Sequence, residues 1–223
     1  MERIGRSKRI CIIAQDDPGY LLIQPMDERD VAGFEHEAEL IAARTHEPFA
    51  LAGLVVEDWN RDLSPWEAPP VFGKEPFGNG AAATLAYIEG QLVPLALERC
   101  GLPSDAPVIL GGYSLAGLFA LWSGYRTDAF AAIAAVSPSV WFPGWIGFAE
   151  SHDPLAQCIY LSLGDREEKA KNPVMAQVGD CIRRQHALLE DRGVDTVLAW
   201  NRGNHFADPE ERLAKGFAWC LGS

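Results

Sequence analysis

An α/β fold, with a mostly parallel, doubly wound sheet and helices on both faces, is predicted by two features of the 223-residue sequence. Short apolar runs alternate with longer helix-like segments. The runs are apolar throughout rather than at every second residue, so both faces of each strand are expected to be covered. Parallel connections are right-handed almost without exception, which leaves double winding as the natural topology. Hydrophobic residues make up 48% of the chain and charged residues 22%, enough apolar content for a core and incompatible with disorder. The length suits one domain, so residues 1–223 are read as a single unit with no separate cap.

Tyr20–Gln24 is a strand stopped by Pro25, and Val31–Thr45 is an amphipathic helix. Phe49–Val56 is the next strand. The segment from Asp62 to Gly80 holds Pro65, Pro69, Pro70, Pro76, Gly73 and Gly78, so it reads as a long irregular loop and the one candidate lid. Ala81–Cys100 is a long helix that Pro94 should kink, closed by Gly101 and Pro103. Pro107–Leu110 is a strand and Leu115–Gly124 a helix apolar on nearly every side. Phe130–Val136, Ile159–Leu163 and Val194–Trp200 are further strands. Pro173–Arg192 and Pro209–Leu221 complete the helices.

Charge narrows the partners. Lys and Arg total 19 against 31 Asp and Glu, a net charge of −12 that repels nucleic-acid phosphates and anionic lipid. The partner expected is therefore a small molecule, not nucleic acid or a membrane. Arg3, Arg6, Lys8 and Arg9 resemble the start of an export signal, but the apolar run Ile10–Ala14 ends at Gln15-Asp16-Asp17, far too short for one. Cys11, Cys100, Cys158, Cys181 and Cys220 are scattered and odd in number, without metal or redox spacing. They read as reduced, mostly buried thiols of a cytoplasmic protein.

The chemistry centres on Val108–Trp122, where a buried strand runs through Gly112-Tyr113-Ser114-Leu115-Ala116-Gly117 into a helix. Such a turn strains its central residue and demands small neighbours two positions either side, here Gly112 and Ala116. It presents the Ser114 hydroxyl at a helix N-terminus. A serine needs an adjacent base, and on this topology the order is serine, acid, histidine, each after a strand. His36 and His186 lie within helices, and His46 and His152 precede strands; only His205, in Gly203-Asn204-His205-Phe206, comes after one. The acid should come after Ile159–Leu163, where Asp165, Glu167 and Glu168 are candidates. Glu167, three residues after Gly164, holds the commonest position. Oxyanion donors are expected from the Leu115 amide and from Asp58 or Trp59. Tyr113, Trp141 and Trp66, with Trp59 and Trp145, are candidates to line a substrate pocket.

These motifs resemble the putative esterase group of the α/β-hydrolase superfamily, which includes esterase D-like enzymes and siderophore-ester hydrolases. The resemblance rests on GYSLAG at 112–117, SPSVW at 137–141, LSLGDREEK at 161–169 and GNHF at 203–206, with EDWNRDLSPW at 57–66 similar to the loop after the oxyanion strand. It spans Tyr20 to the end of the chain. It implies a serine hydrolase of carboxylic esters working through an acyl-enzyme, with Ser114 and His205 matching residue by residue and no cofactor or metal required. Acyl transfer or peptide hydrolysis on the same residues is the alternative chemistry, and a non-catalytic binding protein that kept the fold is the alternative class.

Overall fold

The computed structural model describes residues 2–4, 8–71 and 73–222; Arg6, part of the basic N-terminal cluster, lies outside them. Strands β1 (Glu2–Ile4), β2 (Lys8–Ala14) and β3 (Tyr20–Met26) lead to helix α1 (Phe34–Ala42), β4 (Phe49–Val55) and the single turn α2 (Trp59–Asp62). Helices α3 (Ala81–Tyr87) and α4 (Val93–Cys100) precede β5 (Val108–Tyr113), α5 (Leu115–Ser123) and β6 (Ala132–Val136). Then come α6 (Trp145–Ser151), β7 (Cys158–Gly164), α7 (Val178–Asp191), β8 (Asp195–Asn201) and α8 (Pro209–Leu221).

The eight strands form one sheet in the order β1-β2-β4-β3-β5-β6-β7-β8. From β4 to β8 every neighbouring pair is parallel, while β1 and β2 are antiparallel additions at one edge. Strand alternation divides the core in two. Leu21, Ile23, Leu110, Ile133 and Leu161 face the layer of α3, α4, α5, α6 and α7. Leu22, Leu51, Ile109, Ala134 and Tyr160 face α1 and α8. The central parallel strands β3 to β7 are therefore covered twice, which is why their sequences show no polar alternation, whereas β8, at the edge, is only partly covered. Among the described residues no helix is long and apolar enough to cross a membrane.

Several expectations need correction. The run Ile10–Ala14 belongs to β2, an antiparallel strand between β1 and β4. The strand at Tyr20 continues through Pro25 to Met26. The Leu21 N–H donates to Pro107 O on the β5 side, and alternation points the Pro25 nitrogen the same way, where pairing with β5 has already ended at Ile23. A missing donor there breaks no ladder bond. Ahead of Pro94 the helical path widens into a π-type turn over Ile88–Leu92, the adjustment a proline without an N–H invites. Helix α6 was not anticipated; its two glycine-flanked aromatic turns look like loop in sequence. The cysteines are all free, but only Cys220 is buried; the others sit on β2, at element ends or on a partly covered helix face.

The 63–80 loop is anchored rather than loose. Ala68 and Phe77 pair across it, Trp66 Nε1 donates to Pro143 O at 2.9 Å, and Asn172 Nδ2 donates to Val71 O at 2.6 Å.

Gly111, mid-β5, lies under α8, and a Cβ there would overlap the ring of the fully buried Phe217. Gly111→Val should therefore cost about 1–3 kcal/mol, read as a fall in Tm of about 2–12 °C for a chain of this size. An unchanged melting curve would show that α8 does not press on the sheet at this point.

Candidate active site

Six parallel strands end on one edge of the sheet, and the site is built from the turns and loops just beyond those ends. After β5, the chain reverses at Ser114 with φ 60° and ψ −120°, a conformation that costs a non-glycine residue of order 1–3 kcal/mol. The bend is held from both sides. Ser114 N donates to Val136 O at 3.1 Å, and Ser114 O accepts from Leu118 N and Ser139 N, each at 3.0 Å. A Cβ on Gly112 would overlap the Ala116 carbonyl, so the small residues flanking the serine are a steric requirement. Every residue of α5 is buried, which fixes the helix whose N-terminus carries the hydroxyl.

His205 arrives from the loop after β8. Its ring meets the serine: Ser114 Oγ donates to His205 Nε2 at 2.9 Å. On the other side His205 Nδ1 donates to Glu167 Oε2 at 2.7 Å. The carboxylate can only accept, so the proton sits on Nδ1 and Nε2 is left basic toward the serine. Tyr113 OH donates to the His205 carbonyl at 2.7 Å, tying the loop to the end of β5.

Of the three candidate acids, the structure brings only Glu167 to the histidine. Asp165 Oδ1 accepts from Gly203 N at 2.8 Å and so shapes the histidine loop from outside. Glu168 pairs with Arg183 at 2.9 Å on the surface. His36, His46, His152 and His186 are on α1, before β4, after α6 and on α7, and none of them lines a cleft with Ser114.

The second oxygen of Glu167 is equally occupied. Oε1 accepts from Gly164 N and Ser137 Oγ at 2.8 Å each, and from Arg212 Nη1 at 2.9 Å. Burial by itself would raise this carboxyl, but the hydrogen bond and charge of His205, the Gly164 N–H and the Ser137 hydroxyl hold it below the ordinary value. Arg212 is 1% exposed. Its Nη2 also donates to Arg202 O at 3.1 Å and to Asn204 O at 2.9 Å, gripping the loop that carries His205. Sequence reasoning missed Arg212. A signal was present: in α8 it falls on the face of Leu213, Gly216, Phe217 and Cys220, and a charge on an apolar stripe implies a buried partner. Ser137 was also passed over as a site residue. It has φ 43°, and with Ser114 and Asp208 it makes three of the four non-glycine residues at positive φ among those described.

Two clefts flank the serine and share Arg29, Trp59, Ser114, His205 and Phe206. One, of about 400 Å³, adds Leu115, Phe77, Ser139, Trp141 and Met175. The other, of about 300 Å³, opens toward the ends of β3 and α8 and contains Tyr113. Neither the Leu115 nor the Trp59 backbone N–H has a hydrogen-bond partner among the described residues. The Asp58 side chain caps α2 by accepting from Arg61 N at 3.0 Å; Asp58 lines a separate groove without Ser114, which Trp59 also lines, and neither cleft at the serine includes Asp58. Trp66 lines neither cleft and stacks on Trp145, itself fully buried. These two indoles are packing. Phe206, 85% exposed beside the imidazole, was not foreseen as part of the cleft wall.

The sheet order, the strained serine after β5 and the Ser114–His205–Glu167 hydrogen-bond chain define an α/β-hydrolase fold with its site on the usual edge. Solved structures agree on the fold. An IroE-like serine hydrolase from Shewanella oneidensis superposes with TM-score 0.77 and 18% identity, over 96% of this chain and 75% of that one. The siderophore hydrolase EstB from Aspergillus nidulans gives 0.72 and 19%, over 97% and 92%. The enterobactin esterase FES from Shigella flexneri gives 0.70 and 15%, over 97% of this chain but 56% of that one. No family model and no curated protein sequence matches the chain.

Removing the buried guanidinium leaves Glu167 without its counter-charge. Arg212→Met should destabilise the fold by about 3–5 kcal/mol in urea unfolding, whereas Ser137→Ala should cost about 1 kcal/mol. The depressed Glu167 carboxyl also makes stability depend on pH. Its contribution is complete above the ordinary carboxylate pKa and is lost as pH falls through the lower folded value. The stability gap between the native protein and Glu167→Gln should therefore narrow on acidification. A gap constant from neutral to strongly acidic pH would contradict the depressed carboxyl.

Proposed function

We propose that the protein is a serine hydrolase of small-molecule carboxylic esters that works through an acyl-enzyme. The observation that carries this is the unbroken chain from hydroxyl to imidazole to buried carboxylate, with spacings of 2.9 and 2.7 Å. Ser114 Oγ attacks the ester carbonyl while His205 Nε2 takes its proton. Negative charge develops on the carbonyl oxygen, where the Leu115 and Trp59 amides are the donors. The tetrahedral adduct collapses, His205 returns the proton to the leaving alcohol, and the acyl group stays on Ser114. Water, deprotonated by the same imidazole, then releases the acid. Glu167 fixes the tautomer and stabilises the imidazolium formed in each half. The names of the structural neighbours, siderophore and enterobactin hydrolases among them, make such esters sensible first substrates beside simple aryl esters. The free thiols support a reducing, cytoplasmic setting.

Ser114→Ala should lower kcat on an aryl ester by several orders of magnitude, about 10⁶ where such residues act as a unit, and abolish labelling by a fluorophosphonate. Glu167→Gln should lose about 10⁴, while Asp165→Asn and Glu168→Gln should stay within a few-fold of the native rate. Full activity in Ser114→Ala would remove the serine from the mechanism.

A further inference from the structure

A second hydroxyl lies beside the nucleophile and takes no part in the proton path from Ser114 to Glu167. Ser139, two residues beyond the positive-φ turn at Ser137, is 2% exposed, and its Oγ is 3.5 Å from Ser114 Oγ. Its side chain makes no other hydrogen bond among the described residues. The backbone fixes its place: Ser139 N donates to Ser114 O at 3.0 Å, and Ser139 O accepts from Phe142 N at 2.9 Å. Pro138 packs so close to α5 that a Cβ on Gly117 would lie 3.2 Å from its Cα. The two hydroxyls therefore hang from segments that are bonded to each other.

Chemistry sets the direction of the contact. The Ser114 proton is committed to His205 Nε2 at 2.9 Å, so Ser114 Oγ can only accept from Ser139, whose O–H is the donor. At rest the bond is slack, longer than the roughly 2.5–3.0 Å usual for O–H···O. A buried donor held this far from its acceptor does nothing for stability, and alanine would fold at least as well. The donor gains value only when Ser114 Oγ carries negative charge. That happens twice: when His205 removes its proton for attack, and when the same oxygen departs as the acyl group passes to water. Hydrogen bonds to an anionic oxygen shorten to about 2.5–2.7 Å and strengthen. A contact that is loose in the free protein and tight in the transition state accelerates the reaction without strengthening substrate binding. Apart from Ser139, His205 is the sole hydrogen-bond partner of Ser114 Oγ among the described residues. Leu115, Phe77 and Met175, which share the cleft with Ser139, have no side-chain donor to offer.

We propose that Ser139 is a further catalytic residue, whose hydroxyl donates to Ser114 Oγ whenever that oxygen bears negative charge. Ser139 keeps its own proton throughout; only that of Ser114 passes to His205 and back. The proposal rests on the hydrolase reading, because it needs Ser114 as the nucleophile. Ser139→Ala should lower kcat on an aryl ester about 10–100-fold, the worth of one hydrogen bond to a charged oxygen. KM should stay near the native value, since the lost interaction is made in the transition state alone. Labelling by a fluorophosphonate should slow by about tenfold or more yet reach the native stoichiometry, and Tm should not fall. Ser139→Cys, which fills the same space but donates weakly, should stay close to Ser139→Ala.

A kcat for Ser139→Ala within about threefold of native, or a rise in KM alone, would overturn the role given to Ser139. Full recovery in Ser139→Cys would also overturn it, because the loss would then be one of side-chain volume. So would labelling that stops at a stoichiometry reduced as much as the rate, which marks misfolded protein. Each of these outcomes leaves the hydrolase reading untouched. Native protein that neither takes the label nor turns over any ester would end the hydrolase reading, and the role of Ser139 with it.

Discussion

The carboxylate of Glu167 is where the separate parts of the site are joined. One oxygen orients His205, and the other gathers the Gly164 amide, the Ser137 hydroxyl and the Arg212 guanidinium. Those donors come from the ends of β7 and β6 and from α8, so one buried anion ties two strand ends and a helix to the histidine loop. Arg212 extends the network by holding the Arg202 and Asn204 carbonyls. A buried ion pair adds little stability over a well-packed apolar substitute, but it penalises any arrangement in which one partner is left alone. Here that penalty fixes the approach of a loop which has few apolar contacts of its own.

Strain is placed to match. Ser114 and Ser137 take up positive φ at the ends of adjacent strands, and Asp208 does so just before α8. Leu115 follows the first of these turns, Ser139 comes two residues after the second and Arg212 four residues after the third. The conformational cost is tolerable because the segments on either side are buried, with α5 inside one layer and α8 packed on the sheet across Gly111. The same turns open space on both sides of β5. An apolar cleft lies toward β6, and a cleft with several carboxyl groups lies toward β3. An ester spanning the serine would meet two chemically different surfaces.

Much of this was legible from local pattern. The β5–α5 turn is written in consecutive residues, because steric limits at Gly112 and Ala116 act over a few bonds. His205 was identified by its place after the last strand, and Glu167 by its distance from Gly164. The antiparallel strands β1 and β2 were not, since a short apolar run of that kind is shared with many other structures. Trp66 and Trp145 look in sequence like Trp59 and Trp141, because an indole near a strand end is equally suited to packing and to lining a cleft.

The sequence by itself determined a doubly wound α/β sheet, a strained serine at the end of β5 and a histidine in the loop after the last strand, since those are set by periodicity, steric size and chain order. Tertiary structure alone decided which of three neighbouring carboxyl groups turns inward, that Arg212 crosses from α8 to meet it, and that the Ser139 hydroxyl lies beside that of Ser114. Pairings of that kind depend on directions in space between residues far apart along the chain, and no rule of spacing encodes them.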